Sequence, residues 1–133
     1  MARSNAESHG LSPRVAFSEG NWSEGVEGPF DVIVSNPPYI ESGAVPGLPP
    51  EVREHDPALA LDGGADGLDA YRAILPSLPD LLGTGGLAVL EIGEGQGDAV
   101  ARIACEHGLA PVGRRKDLGG IERALSFKTA CAL

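Results

Sequence analysis

Asn36-Pro37-Pro38-Tyr39 places an amide side chain, two imide carbonyls and an aromatic ring within four positions. These groups can accept hydrogen bonds and present a flat face, which is what holding a small planar polar group requires. The two prolines cannot donate to a sheet ladder, and the residue before a proline is pushed away from helical angles, so Asn36 is held extended. What must position them lies just upstream. Phe30-Asp31-Val32-Ile33-Val34-Ser35 is a nearly continuous apolar run rich in β-branched residues, the pattern of a parallel strand buried on both faces. In an open α/β sheet, ligands bind outside the carboxyl ends of the strands. The motif would therefore stand on a stiff loop at the mouth of a crevice. A Pro-rich turn after a buried strand uses the same residues, and a short motif alone does not separate the two readings.

The four residues resemble the N-P-P-Y signature of S-adenosylmethionine-dependent methyltransferases that alkylate a planar nitrogen, in a side-chain amide or an exocyclic base amine. An amide nitrogen is a poor nucleophile because its lone pair is delocalised into the carbonyl. The resemblance implies a site that accepts both of its N–H bonds, one on the Asn36 side-chain oxygen and one on the Pro37 carbonyl, with Tyr39 against the flat face of the amide. The lone pair is then aimed at the methyl sulfonium. Positioning of this sort contributes on the order of 7 kcal/mol or more without a strong base.

Composition narrows the setting. A chain of 133 residues, 42% hydrophobic and 22% charged, is ordinary for one globular domain with a core. Ten basic and 19 acidic residues give a net charge of −9, which argues against unaided binding to a phosphate backbone. Cys105 and Cys131 have no paired spacing, and His9, His55 and His107 are scattered, so no metal site, disulfide framework or nucleophilic triad is implied. With no run of membrane-spanning length and no signal-peptide core, the expected location is the cytoplasm.

In chain order, residues 1–10 read as the last turns of a helix stopped by Gly10. Residues 14–17 are a short strand candidate. Residues 40–66 form a long irregular segment, acceptable in a compact domain only as a functional loop or lid. Helical spacing over 68–78, a short helical piece, a buried strand over 87–92, a helix over 96–107 capped by Gly108, and strands over 110–115 and 121–127 joined at Gly119-Gly120 complete the chain. Asp56, Asp62 and Asp66 are candidates for ordering the lid, or Asp66 or Gly67 for starting the following helix. Arg114, Arg115 and Lys116 read as a solvated basic edge. Gly93-Glu94-Gly95-Gln96-Gly97 mimics a phosphate-cradling loop, but Glu94 puts a negative charge where phosphates would sit, and a structural tight turn is the favoured reading.

This order is an α/β pattern that resembles the second half of a Rossmann-like class I methyltransferase, a single partial catalytic domain over residues 1–133. With N-P-P-Y, three further stretches resemble the HemK/PrmC family of release-factor glutamine methyltransferases: residues 51–68, Leu90-Glu91-Ile92-Gly93, and residues 115–123. The resemblance implies methyl transfer from S-adenosylmethionine to the glutamine of a Gly-Gly-Gln motif in a peptide chain release factor, with Asn36, Pro37, Pro38 and Tyr39 as the substrate loop. Gly20-Asn21-Trp22 stands where the family has Gly-Asp followed by an apolar residue, with Asn21 in place of the acidic side chain and Trp22 in place of the apolar one. Asn21, Trp22 and Asn36 are the expected cofactor contacts, although a turn with a partly buried indole explains Asn21 and Trp22 equally well.

The family's glycine-rich cofactor turn and the acidic residue of its second strand would precede Met1, so the fold is expected to be truncated and the chain inactive alone. The family sheet order, 3-2-1-4-5-7-6 with the seventh strand antiparallel, would leave the strand over 30–35 with a free edge. Dimerisation through that edge is expected. Two other functions fit the same residues: methylation of an adenine amine in nucleic acid, which the charge disfavours, and a non-catalytic dimerising fragment.

Overall fold

The computed structural model describes residues 1–55 and 57–130. Asp56 and the His55 side chain, two candidates in the lid, lie outside the described residues, as does Cys131.

Four strands form one sheet: β1 (Phe30–Ser35), β2 (Leu82–Glu91), β3 (Leu109–Lys116) and β4 (Glu122–Thr129), in the order β1-β2-β4-β3. β1 pairs parallel with β2, with Val32 opposite Leu87 and Val34 opposite Val89. β4 inserts antiparallel between β2 and β3, with Leu90 opposite Leu125 and Arg115 opposite Ala124. This is the expected 4-5-7-6 portion of the class I methyltransferase sheet. The β3–β4 hairpin turns on Asp117, whose Oδ1 accepts from the Gly119 and Ile121 amides, with Gly120 at φ 84°.

Helical segments pack against one face. α4 (Asp69–Ile74) and a 3-10 turn over Leu75–Ser77 take up the helical stretch expected over 68–78, and α5 (Leu78–Leu81) is the short helical piece expected after it. Pro76 and Pro79 lack the N–H a continuous α-helix would use, and the helix breaks into turns around them. α6 (Gly97–Glu106) packs its Val100 and Ala104 on the sheet and ends before Gly108 at φ 83°. Tyr71, Leu75 and Leu78 meet Ala88, Leu90 and Ile92 of the β2 segment and Leu125 and Phe127 of β4 in one core. Each large side chain buried there contributes roughly 1.5–3 kcal/mol.

Two expectations fail for one physical reason. β1 is not buried on both faces: Ile33 packs on the core, while Val32 and Val34, pointing the other way, are 60% and 73% exposed. No described helix covers that side of the sheet. Residues 14–17 form no strand either. A 3-10 turn occupies Ser12–Arg14, and Val15 and Phe17 lie outside regular structure, the Phe17 ring under the Arg3 guanidinium at 5.8 Å. Without a neighbour to pair with, a strand there would leave its N–H and C=O groups unladdered. Upstream, α1 (Ala2–Ser8) ends before Gly10 at φ 67°, as its sequence implies.

The segment over 40–66 is more ordered than an irregular lid. It carries a 3-10 turn over Ser42–Gly47 and two short helices, α2 (Pro50–His55) and α3 (Ala58–Leu61). Its ends close on each other. The Ile40 amide donates to the Leu61 carbonyl (3.2 Å), the Gly63 amide to the Ile40 carbonyl (2.7 Å) and the Ser42 amide to the Gly64 carbonyl (2.8 Å).

Candidate active site

β1 ends at Ser35, and Asn36 follows it at the carboxyl edge of the parallel pair, beside the carboxyl end of β2. Asn36 is exposed, and its side-chain amide makes no hydrogen bond within the described residues. Pro37 is fully buried, which anchors the loop while Asn36 stays accessible. A cleft of about 320 Å³ opens here, lined by Asn36, Pro37, Pro38 and Tyr39 together with Ala60, Leu61 and Glu91. A second cleft, of about 430 Å³, shares Asn36 and Glu91 with the first and continues over Val34, Val89 and Arg123. Asn36 and Glu91 thus stand where the two clefts meet.

Tyr39 is held from several sides. Its hydroxyl donates to Glu91 Oε1 (3.2 Å), and burial, then the nearby Glu91 carboxylate, raise its pKa above the ordinary phenol value. Tyr71 supports the same residue from below, its hydroxyl donating to the Glu91 backbone carbonyl (2.7 Å). A Cβ on Gly93 would fall 2.7 Å from Tyr39 Cδ2, and one on Gly67 would fall 2.5 Å from the Tyr39 carbonyl oxygen. The glycines flanking the motif in space are there because backbone approaches backbone or ring too closely for a side chain.

The glycine-rich stretch 62–68 is ordered by its own carboxylates. Asp62 Oδ1 accepts from the Ser42 hydroxyl (2.6 Å) and the Gly64 amide (2.9 Å), and these bonds lower its pKa. Asp66 accepts from the Leu68 amide and from Arg72, both at 3.0 Å, and the Arg72 hydrogen bonds hold its pKa down at about 2. Its bond to the Leu68 amide closes a turn, but α4 begins at Asp69 with Leu68 as its N-cap and no side-chain cap, so neither Asp66 nor Gly67 starts the helix.

The turn after β2 is closed from inside. The Gln96 amide donates to the Gly93 carbonyl (3.2 Å), Gly95 takes φ 78°, and the Gly93 amide is already donated to Gln96 Oε1 (2.8 Å). That amide has a partner and is not turned out toward an anion.

Asn36, Pro37, Pro38 and Tyr39 come together in one cleft. Asn21 and Trp22 lie apart from it. Asn21 is exposed, and Trp22, at φ 54° and 47% exposed, borders an apolar hollow of about 180 Å³ along β1 with Phe30, Ile33 and Ser35. Arg114, on edge strand β3, pairs with Asp98 and Glu122 and is less free than a solvated basic edge suggests. Sequence reasoning passed over Glu91, Tyr71 and Gln96 as site residues. The signals for Glu91 were a charged residue inside an apolar strand and its place in the family-like stretch Leu90-Glu91-Ile92-Gly93.

No family model matches the chain. It is 49% identical over 132 residues to the release factor glutamine methyltransferase of Rhodospirillum rubrum, covering 99% of this chain and 41% of that protein. It is 49% identical over 129 residues to that of Bradyrhizobium diazoefficiens, covering 96% and 43%. A ribosomal protein L11 methylase from Lactobacillus delbrueckii subsp. bulgaricus superposes with a TM-score of 0.67 at 16% identity, over 98% of this chain and 52% of that one, a likeness of fold. The chain spans less than half the length of the curated relatives it matches. It is therefore a homologue of the C-terminal part of the release factor glutamine methyltransferases.

Proposed function

We propose that this chain forms the methyl-acceptor side of a release factor glutamine methyltransferase. The observation that carries the reading is the accessible Asn36 amide, without a partner among the described residues, held beside Pro37 and Tyr39 at the carboxyl edge of β1. The glutamine of a Gly-Gly-Gln motif in a cytoplasmic release factor enters this cleft. Its side-chain nitrogen donates one N–H to the Asn36 oxygen and the other to the Pro37 carbonyl, and Tyr39 lies along the amide plane. Both prolines restrict the backbone, so the two acceptors are set before substrate arrives, and little ordering remains at the moment of reaction.

S-adenosylmethionine, when bound, supplies an electrophilic methyl group on a sulfonium. The residues present fit part of that molecule. Trp22 and the apolar hollow along β1 suit a flat ring, Asn21 can accept through its amide oxygen, and Asn36 reaches both clefts. No strand precedes β1 among the described residues, so the methionine end has no counterpart there. This favours a chain that does not transfer methyl groups alone. The net charge of −9 weighs against direct nucleic-acid contact. The outer edge of β1 is unpaired among the described residues, and we place a second copy of the chain against it.

Isothermal titration with S-adenosylmethionine, followed by a capped Gly-Gly-Gln peptide, tests the reading. Saturable peptide binding at or below about 1 mM, abolished by Asn36→Ala, is expected. Peptide binding that survives Asn36→Ala removes the amide from the site. No binding of either ligand leaves a non-catalytic fragment of the family.

A further inference from the structure

The glycine-rich turn after β2 sets Gly93 against the Tyr39 ring and sends one side chain, that of Gln96, onto the backbone of the Tyr39 loop. Gln96 Oε1 accepts from the Gly93 amide at 2.8 Å, and Nε2 donates to the Tyr39 carbonyl at 3.0 Å and, more weakly, to the Gly67 carbonyl at 3.4 Å. The orientation of the amide is fixed by its partners, since the reversed group would set its oxygen against two carbonyls. A Cβ on Gly67 or Gly93 would lie 2.9 Å from Gln96 Nε2 or Oε1 respectively, so both glycines make room for this one side chain. Three segments far apart in sequence, the acceptor loop, the 62–68 stretch and the post-β2 turn, are tied together by one half-buried amide.

We propose that Gln96 is a positioning residue of the methyl-acceptor site, a statement that rests on reading Asn36–Tyr39 as that site. β1 fixes the near end of Asn36-Pro37-Pro38-Tyr39, and Gln96 fixes the far end through the Tyr39 carbonyl. Between them the two prolines leave little freedom, so the Asn36 and Pro37 acceptors inherit their spacing from both anchors. Misplacement of such groups by about 1 Å costs on the order of 100-fold in rate.

Gln96→Glu separates positioning from folding. A carboxylate still accepts from the Gly93 amide, and a negative charge ahead of α6 suits the helix terminus, but both donations are lost. Wild type, Gln96→Glu and Gln96→Ala are compared by amide hydrogen exchange and by NMR titration with the capped Gly-Gly-Gln peptide. In Gln96→Glu the Gly93 amide keeps its protection, the Ile40 and Gly63 amides exchange about tenfold faster, and peptide affinity falls about tenfold. Gln96→Ala exposes the Gly93 amide as well. Unchanged exchange at Ile40 and Gly63 in Gln96→Glu, or unchanged peptide affinity where wild type binds, overturns the proposal. A wild-type chain that ignores the peptide defeats the acceptor reading instead, and the exchange rates still decide whether Gln96 braces the loop.

Discussion

Tyr39 illustrates how a loop side chain is given one position. Its hydroxyl is fixed by Glu91, its carbonyl by Gln96, and Gly93 leaves room for its ring edge. Glu91 in turn owes its place to Tyr71, which is fully buried and donates to the Glu91 carbonyl at 2.7 Å. The Tyr71 hydroxyl is therefore more than core filling. Tyr71→Phe removes the donor and leaves that carbonyl without this bond, at an expected cost of about 1 kcal/mol in urea denaturation. A midpoint equal to wild type would mean that the bond carries no net stability.

The excursion from Ile40 to Gly64 returns to its starting point through backbone bonds that join Ile40 to Leu61 and Gly63, and Ser42 to Gly64. Just beyond it, Asp66 orders the approach to α4, with Arg72 and the Leu68 amide on its carboxylate and a pKa of about 2. A depressed folded value means that the bound carboxylate stabilises the fold above the unfolded pKa, near 3.9, and that this contribution disappears as pH falls toward 2. The pair is exposed, so the energy involved is small and screened by salt. The Leu68 amide and Arg72 guanidinium resonances are expected to shift together as pH is lowered from 4 to 2. In Asp66→Asn the same titration should be flat, and a shift that persists there would assign the transition to another carboxylate.

At the scale of the molecule, the sheet has one face covered by α4, α5 and α6 and one face left open around β1, where Val32 and Val34 are more than half exposed. An unpaired strand edge with apolar side chains next to it is a template for pairing. Pairing with a second copy is expected to appear in sedimentation as a concentration-dependent dimer. Val34→Lys, which puts a charge on that open surface without touching the core, should shift the equilibrium toward monomer. A monomer at all concentrations, with Phe30–Ser35 amides well protected, would show that the edge is satisfied without a partner.

Much of this was legible in the residues themselves. The β-branched run before Asn36, the prolines that stop it, the helical period over 97–106 and the glycines that end helices and turn the last hairpin act through local sterics and the alternation of apolar residues, which need no knowledge of distant partners. The acceptor role proposed for Asn36-Pro37-Pro38-Tyr39 rests on the family resemblance of those residues and not on such local effects. What the tertiary structure decided depends on groups remote in sequence meeting in space. Residues 14–17 have strand-forming side chains but no neighbour to pair with, and β1 has an apolar pattern on two faces but helices on only one. Glu91, Tyr71 and Gln96 look unremarkable along the chain. A parallel crossover sets β2 beside β1, so that Glu91 and Gln96 bond Tyr39 from 52 and 57 positions away while Tyr71 bonds the Glu91 carbonyl.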